Sequence, residues 1–378
     1  MGCEGNNKTK DLNSCCSSLS CCNNFTKDIS VSNHLVHSNW IKNFINTSIG
    51  KVSVVSTRLT FSDVLGSWKA RWGFNRMNYK VNPGLYAVGN PDSNSPVLVS
   101  ANYKMSFDRL RRELTGLSLW ILVLDTKGIN VWCAAGKGTF GTEELVKRII
   151  QVKLPEIITH RTLIVPQLGA VGIAAHLVSK FTGFKIVYGP VQAKDISVFL
   201  KSGLKATLSM RQIHFGFKDR LVLTPMELVG TVKSTLILIA VLFVINLIGN
   251  VTTTFYQLII KTIYDFIPFL GSILAGALFV PLLLPYIPGR ALAWKGWLLG
   301  VLWTGVYLYL TPINWLQAII YLLFLPPIAS YLAMNFTGAT TYTSLSGVVK
   351  EIKAALPAQI ISILLGFALL IGKLFIIT

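Results

Sequence analysis

Charged residues are scarce in this chain, because Asp, Glu, Lys and Arg make up only 13% of its 378 residues. An ordinary soluble domain carries about 25%. The scarcity is confined to one part: residues 230–378 hold seven basic and two acidic residues, whereas residues 1–229 hold 28 basic and 14 acidic ones. The composition excludes a purely soluble protein and predicts a basic soluble domain fused to a membrane domain.

The N-terminus lacks the apolar core that a secretory signal peptide needs. We therefore expect the soluble domain to stay in the cytoplasm. Cysteine is rare beyond this region, since five of the six cysteines lie in the first 22 residues and only Cys133 lies elsewhere. In a reducing compartment the five are not expected to form a disulfide framework. Residues 1–48 are predicted to be a disordered leader rich in Cys, Ser and Asn.

Residues 229–378 are predicted to form an all-α transmembrane domain of five helices. Crossing about 30 Å of hydrocarbon takes roughly 20 apolar residues. Segment 252–265 is predicted to be a separate interfacial helix. The five predicted spans lie at about 231–249, 267–287, 291–310, 313–334 and 357–376.

The positions of the basic residues predict the orientation of this domain. Lys and Arg near the spans are slightly more frequent on the side of the soluble domain, which predicts a multi-pass protein of the cytoplasmic (inner) membrane. The N-terminal domain would lie in the cytoplasm and the C-terminus outside. Because ionisable residues are nearly absent from the span interiors, a membrane anchor is favoured over a transporter, which stays an alternative.

Residues 49–228 are predicted to form an α/β, Rossmann-like domain with a largely parallel sheet. From about residue 96, short apolar runs alternate with amphipathic segments. Ligands of such sheets bind beyond the carboxyl ends of the strands. Strands are predicted at 97–100, 119–124, 162–165, 185–188 and 220–223, and helices at 107–114, 143–152, 171–181 and 193–201.

Residues 50–93 combine many Trp, Arg and Tyr residues with little helical periodicity. Basic and aromatic side chains together suit nucleic-acid binding. We nevertheless expect no nucleic-acid partner, because a basic excess next to a membrane anchor is explained by anionic lipids. A lipid bilayer is therefore an expected partner of the chain.

The most informative segment is GINVWCAAGKG at 128–138. Asn130 is a favourable N-cap, so residues 131–137 are predicted to form a short helix that Gly138 ends. Cys133 would lie in the first turn, where free backbone N–H groups and the helix dipole stabilise a thiolate. Lys137 would add a positive charge on the same face. Trp132 and the three small residues after Cys133 predict that the helix lies against a large flat surface.

The segment 128–138 also invites three other interpretations. A phosphate-binding loop is excluded because the spacing departs from G-x-x-x-x-G-K-[ST]. A cysteine nucleophile would need a histidine base, for which His160, His176 and His214 are available. A buried structural thiol is the common state of a lone cysteine.

The motif NVWCAAGK at 130–137 resembles the signature of the membrane-bound corrinoid proteins of microbial mercury methylation. Four further segments resemble the corrinoid-binding domain of the corrinoid iron–sulfur protein of the acetyl-CoA pathway. Together the resemblance covers about residues 50–225. The cysteine and the five predicted spans fit the mercury branch. The four segments are GLYAVGNP at 84–91, SPVLVSANYK at 95–104, PQLGAVG at 166–172 and YGPVQAKD at 188–195.

This resemblance implies a cobalamin-type corrinoid cofactor with Cys133 as catalytic residue and lower axial ligand of the cobalt. Thiolate is a soft, electron-donating ligand. The lower face of the ring would be met by Asn130, Val131, Trp132, Cys133, Ala134, Ala135, Gly136 and Lys137. Its rim would be met by Ser100, Asn102, Tyr103, Gln167, Gly169, Gly189 and Pro190.

The implied activity is corrinoid-dependent methyl transfer from cobalt to Hg(II), which gives methylmercury. The implied partners are a small ferredoxin with two 4Fe–4S clusters, as electron donor, and an unidentified methyl-donor protein. Two alternatives stay open. One is a membrane-anchored corrinoid methyl carrier in one-carbon, acetyl-CoA pathway-like metabolism, and the other is a transporter with a cytosolic ligand-sensing domain.

The leader cysteines form two vicinal pairs, Cys15 with Cys16 and Cys21 with Cys22. An iron–sulfur cluster is not expected there, because cluster motifs separate their ligands by two or more residues. Vicinal thiols suit capture of Hg(II). The alternative is a disordered leader whose thiols are incidental.

Overall fold

The computed structural model describes residues 38–249, 254–336 and 345–377. The chain divides into two compact units. The first holds the described residues up to Asp63 together with Tyr79–Arg211, and the second holds Val64–Asn78 and the described residues from Gln212 onwards. The predicted fold class is confirmed: a mixed α/β sheet occupies residues 41–201 and a helical region follows.

The first unit is built on a sheet of seven strands among the described residues, in the order β1-β2-β3-β5-β4-β6-β7. The strands β5, β4, β6 and β7 are parallel, as predicted. On the other side β3 runs antiparallel to β5, and β1 and β2 form an antiparallel pair. The strands are β1 Ile41–Thr47, β2 Gly50–Val55, β3 Gly84–Val88, β4 Val97–Ala101, β5 Leu119–Leu124, β6 Thr162–Val165 and β7 Lys185–Tyr188.

Strand β5 shows why its sequence is a continuous apolar run. Trp120, Leu122 and Leu124 pack into the core on one face of the sheet. The alternate residues pack into the core on the other face. Since successive side chains of a strand point to opposite faces, a strand buried on both sides needs apolar residues throughout.

Short helices flank the sheet. Helix α1 Phe61–Arg71 and the 3₁₀ turn Arg76–Asn78 lie mostly in the second unit. The helices of the first unit are α2 Lys104–Glu113, α3 Val131–Gly136, α4 Thr142–Gln151, α5 Ala175–Thr182, α6 Ile196–Lys201 and α7 Leu208–Arg211, with 3₁₀ turns at Leu154–Glu156, Gln167–Gly169 and Ala193–Asp195.

Two predictions about the first 228 residues are wrong. The predicted strand 220–223 lies inside a long helix, because its short apolar run continues into a much longer one. The predicted leader 1–48 extends too far, since Ile41–Thr47 forms β1, whose backbone pairs with β2. The five leader cysteines lie outside the described residues.

The helical region consists of long apolar helices. Within the described residues, four helices are long and apolar enough to cross a membrane: Phe217–Gly249, Phe255–Leu283, Trp315–Asn335 and Gly347–Lys373. The helices are α8 Phe217–Gly249, α9 Phe255–Leu274, a π-helical segment Ala275–Phe279, α10 Val280–Leu283, α11 Leu292–Leu310, α12 Trp315–Asn335 and α13 Leu345–Ile377.

Two details of the membrane prediction are corrected. The predicted interfacial helix at 252–265 is not a separate element, because α9 runs through Pro268 without a break and continues into the second candidate span. Helix α11 forms at the predicted third span but is not among the four apolar candidates. Three Trp, two Tyr and Lys295 lower the apolar character of its 19 residues.

Candidate functional site around Cys133

The short helix α3 forms as the sequence predicts. Asn130 has an extended backbone, with φ −66° and ψ 161°, and its Oδ1 accepts the N–H of Cys133 at 2.9 Å. Lys137 is the C-cap residue, and Gly138 follows in the left-handed region at φ 80°. The cap satisfies one of the N–H groups that the first turn of a helix leaves without a partner. The Cys133 N–H is therefore bonded to Asn130, which corrects the prediction of a free N–H group at this position.

The thiol of Cys133 is exposed. This excludes the buried structural thiol. The residues Trp132, Gly136 and Lys137 are exposed with it. A Cβ atom added at Gly136 would meet nothing within 4 Å, so one face of this helix turn is open for a ligand to approach its backbone.

The other face of α3 is packed against its own domain. Ala134 and Ala135 are buried in the main core, which corrects the expectation that they meet an external flat surface. Gly172 allows this close approach, since a Cβ there would lie 2.1 Å from the carbonyl oxygen of Phe140 and 3.1 Å from the Cα of Ala135. Only the exposed face of α3 can therefore meet a bound group.

Asn102 fixes the turn that leads from β5 into α3. Its Oδ1 accepts the backbone N–H groups of Thr126 at 3.1 Å and Gly128 at 3.0 Å. Its Nδ2 donates to Oδ1 of Asp125 at 3.0 Å. Two backbone donors on one oxygen determine which way the amide points. Asn102 is only 1% exposed, so this amide serves the turn and is not presented to a ligand, which corrects its predicted rim role.

Thr126 extends the same network towards the N-cap. Its Oγ1 lies 2.8 Å from Oδ1 of Asn102 and 2.7 Å from the carbonyl oxygen of Ile129, the residue before Asn130. Lys127 and Gly128 adopt left-handed backbone angles of φ 59° and φ 74°. This conformation is unfavourable for a lysine. The buried Asn102 amide therefore stabilises a strained turn that sets the position of Cys133.

The predicted rim residues come together at one edge of the sheet. They lie at or just beyond the ends of β4, β6 and β7, which are parallel, and β5 leads to α3 from the same edge. This edge is where parallel α/β sheets bind ligands. Most of these residues are nevertheless less accessible to a ligand than the sequence predicted. The ones buried within the unit are Ser100, Asn102, Tyr103, Gly169, Gly189 and Pro190.

Gln167 is the half-buried member of the rim set. Its Oε1 accepts Nη1 of Arg211 at 2.8 Å. Gly169 lies against Phe140, whose ring would be 2.4 Å from an added Cβ. These contacts position the turn after β6 next to α3.

The histidine alternatives find no support in the geometry. His160 Nε2 lies 2.9 Å from the carbonyl oxygen of Ser95, while its Nδ1 accepts the N–H of Thr162, so both ring nitrogens are used. Neither ring nitrogen of His160 is therefore left to accept a proton from Cys133. The described residues also contain no cluster of three or more His, Cys, Asp or Glu that could hold a metal ion.

Sequence reasoning missed a buried ion-pair cluster formed by Asp63, Lys104, Asp108 and Arg111. The Lys104 Nζ lies 2.8 Å from Asp63 and 2.6 Å from Asp108. Arg111 lies 2.8 Å from each of the same two carboxylates. Burial alone would raise the pKa of Asp63, but its hydrogen bond with Lys104 and those from Thr60 and Arg111 hold it well below its usual value. The i, i+4 spacing of Lys104 and Asp108 was the available signal.

Comparisons with known proteins match the part of the chain that contains this site. The sequence profile of the family described as CO dehydrogenase/acetyl-CoA synthase delta subunit matches residues 73–200. The acetyl-CoA decarbonylase/synthase complex subunit gamma of Archaeoglobus fulgidus is 30% identical over 131 residues, which are 33% of this chain and 27% of that protein. The same subunit of Methanopyrus kandleri is 34% identical over 129 residues, with the same coverage of 33% and 27%.

The corrinoid/iron-sulfur protein large subunit of Moorella thermoacetica is also similar. It is 28% identical over 127 residues, which are 33% of this chain and 28% of that protein. The chain therefore spans about a quarter of the length of these relatives.

Proposed function

We propose that this chain is a membrane-anchored corrinoid protein that carries a methyl group, and that Cys133 would hold the cobalt of the bound corrinoid. The observation that carries the proposal is the exposed thiol of Cys133 on the open face of a capped helix at the carboxyl edge of the sheet. The similarity to a corrinoid/iron-sulfur protein subunit supports the same cofactor. We assign the corrinoid-binding part to the α/β unit that begins with β1 and the membrane part to the helices from α8 onwards.

The residues present fit such a cofactor. A thiolate is a soft donor suited to a transition metal. Gly136 and Gly138, which follow Cys133 in the chain, have open space where a side chain would stand. A bound corrinoid would supply a cobalt ion able to hold a methyl group. The protein's part is to aim the sulfur, and Asn130, Thr126 and Asn102 do this through consecutive hydrogen bonds. Lys137 places a positive charge one turn beyond the thiol.

Hg(II) is the proposed methyl acceptor. The support is the NVWCAAGK motif at 130–137, whose resemblance is to corrinoid proteins of mercury methylation. Hg(II) is a soft electrophile, and the leader pairs at 15–16 and 21–22 would suit its capture. A ferredoxin with two 4Fe–4S clusters would return electrons to the site, and a separate protein would supply the methyl group.

A methyl carrier in one-carbon metabolism is the second candidate. It is favoured by the similarity of residues 73–200 to acetyl-CoA pathway subunits. The two candidates share cofactor and site and differ in the methyl acceptor. We place the protein in the cytoplasmic membrane with residues 49–228 on the cytoplasmic side.

A methyl-transfer assay on purified full-length protein distinguishes these functions. The corrinoid-loaded, methylated protein is incubated with Hg(II), and methylmercury is quantified. The proposal expects methylmercury from the wild type and none above background from Cys133→Ala. A loaded protein that transfers no methyl to Hg(II) would favour the one-carbon acceptor, and a protein that binds no corrinoid would favour a ligand-sensing transporter.

A further inference from the structure

Helix α1 and the turn after it expose an apolar stripe. Phe61, Leu65, Trp68 and Trp72 are 81%, 43%, 60% and 40% exposed. They recur every third or fourth position, so they lie on one face of the helical segment. A surface helix of a soluble domain turns such a stripe towards the core. In α1 the arrangement is reversed, since its buried positions are Asp63 and Ala70.

The stripe continues beyond the helix. Phe74 and Met77 are 67% and 59% exposed in the turn that follows. We call the exposed surface of residues 61–77 the aromatic surface. Contiguous exposed apolar side chains of this kind mark an interaction site.

The surroundings of the aromatic surface are cationic. Residues 58–80 contain five basic residues and one acidic residue, Asp63, which is buried in ion pairs. Lys69 is exposed between Trp68 and Trp72. Aromatic residues next to Lys and Arg are the composition of helices that lie in the interface of anionic membranes.

The aromatic surface is continuous with a helix that could enter a membrane. Residues 64–78 belong to the same compact unit as the helical region. A Cβ added at Gly73 would lie 3.5 Å from Cγ1 of Val229 in α8. Helix α8 is one of the four candidate spans. The C-terminal part of the apolar stripe therefore lies beside a segment suited to lipid.

We propose that the aromatic surface of residues 61–77 is a membrane-docking surface that lies in the interfacial layer of a bilayer containing anionic lipids. The apolar stripe enters the boundary between headgroups and acyl chains, where Trp side chains are favourable. The basic residues contact lipid phosphates. This inference rests on the proposal that the apolar helices span a membrane.

Photocrosslinking of the full chain tests the docking surface. The photoreactive residue p-benzoyl-phenylalanine replaces Trp68 or Phe74, and the protein is reconstituted into vesicles of phosphatidylcholine and phosphatidylglycerol. Two matched positions serve as controls: Leu236 of α8, which is 62% exposed, and Phe181 of α5, an aromatic residue outside the stripe that is 45% exposed. Phospholipid adducts are identified by mass spectrometry.

The inference predicts phospholipid adducts at positions 68, 74 and 236 and none at 181. Adducts at 236 without adducts at 68 and 74 would overturn the docking surface while leaving the membrane proposal intact. Protein adducts at 68 and 74 would assign the surface to a protein partner and also overturn it. The absence of adducts at 236 would overturn the membrane proposal itself.

A separate measurement tests the contribution of the basic residues to lipid binding. Adduct yield at position 68 should fall at least severalfold when phosphatidylglycerol is omitted or when salt is raised from about 0.1 M to about 1 M, because salt screens exposed charges. The yield at 236 should stay constant in the same samples. Equal yields at 68 in neutral and anionic vesicles would contradict the requirement for anionic lipid.

Discussion

Removing the Asn102 amide should release the turn that positions Cys133. In Asn102→Ala the backbone N–H groups of Thr126 and Gly128 lose their shared acceptor. Each buried donor left without a partner costs about 1–3 kcal/mol, so the turn should lose roughly 2–6 kcal/mol for the two donors. The left-handed backbone of Lys127 adds strain that the Asn102 amide then no longer offsets.

Hydrogen–deuterium exchange of the full chain measures this loss locally. Since about 1.4 kcal/mol corresponds to a factor of ten, exchange at residues 126–133 should accelerate roughly 30-fold or more. In corrinoid-loaded protein the absorption spectrum should change as well, because the sulfur is no longer held in place. Asn90→Ala, at an exposed asparagine, is the matched control and should alter neither quantity. Unchanged exchange and an unchanged spectrum in Asn102→Ala would refute the positioning role.

Three further changes test the surrounding structure. Asn130→Ala should destabilise α3 by about 1 kcal/mol in hydrogen-exchange measurements, because the N-cap acceptor is lost. Asn130→Asp keeps an acceptor and should restore the protection of α3. Equal protection in the wild type and both variants would contradict the role of Asn130 as N-cap. Gly172→Ala should lower the thermal unfolding temperature by several degrees, because the new Cβ meets the Phe140 carbonyl oxygen, whereas Gly116→Ala lies in open space and tests only backbone strain. The pKa of Asp63 is held below its ordinary 3.8, so its ion pairs stabilise the fold above about pH 4 and weaken as the pH falls below that value. The unfolding temperature should therefore drop more steeply on acidification in the wild type than in Asp63→Asn, and parallel curves would exclude the ion-pair cluster as the cause.

Local signals explain what could be predicted from the sequence. Asn130 before a short apolar segment and Gly138 after it predicted both ends of α3. The predicted strands 119–124, 162–165 and 185–188 coincide with β5, β6 and β7, because strands buried on both faces leave uninterrupted apolar runs. The carboxyl edge of the parallel strands then gave the position of the site.

Long-range contacts explain what could not be predicted. Asn102 bonds a turn 24 to 26 residues away, which no spacing rule reveals. The sequence also could not say which face of α3 is buried, so Ala134 and Ala135 were assigned to the ligand although they pack into the core. Helix α1 was not predicted, although Phe61, Leu65 and Trp68 recur at helical spacing. The assessment that residues 50–93 show little helical periodicity is therefore wrong for this segment.

The identity of the residue below the cobalt is the central claim, and a ligand exchange at position 133 tests it most directly. Full-length wild type, Cys133→Ala and Cys133→His are loaded with corrinoid, and their absorption spectra are compared at equal corrinoid content. Three different spectra are expected. The wild type would offer the metal a sulfur atom, Cys133→Ala no side-chain donor and Cys133→His an imidazole nitrogen. Identical spectra in all three proteins would contradict the claim.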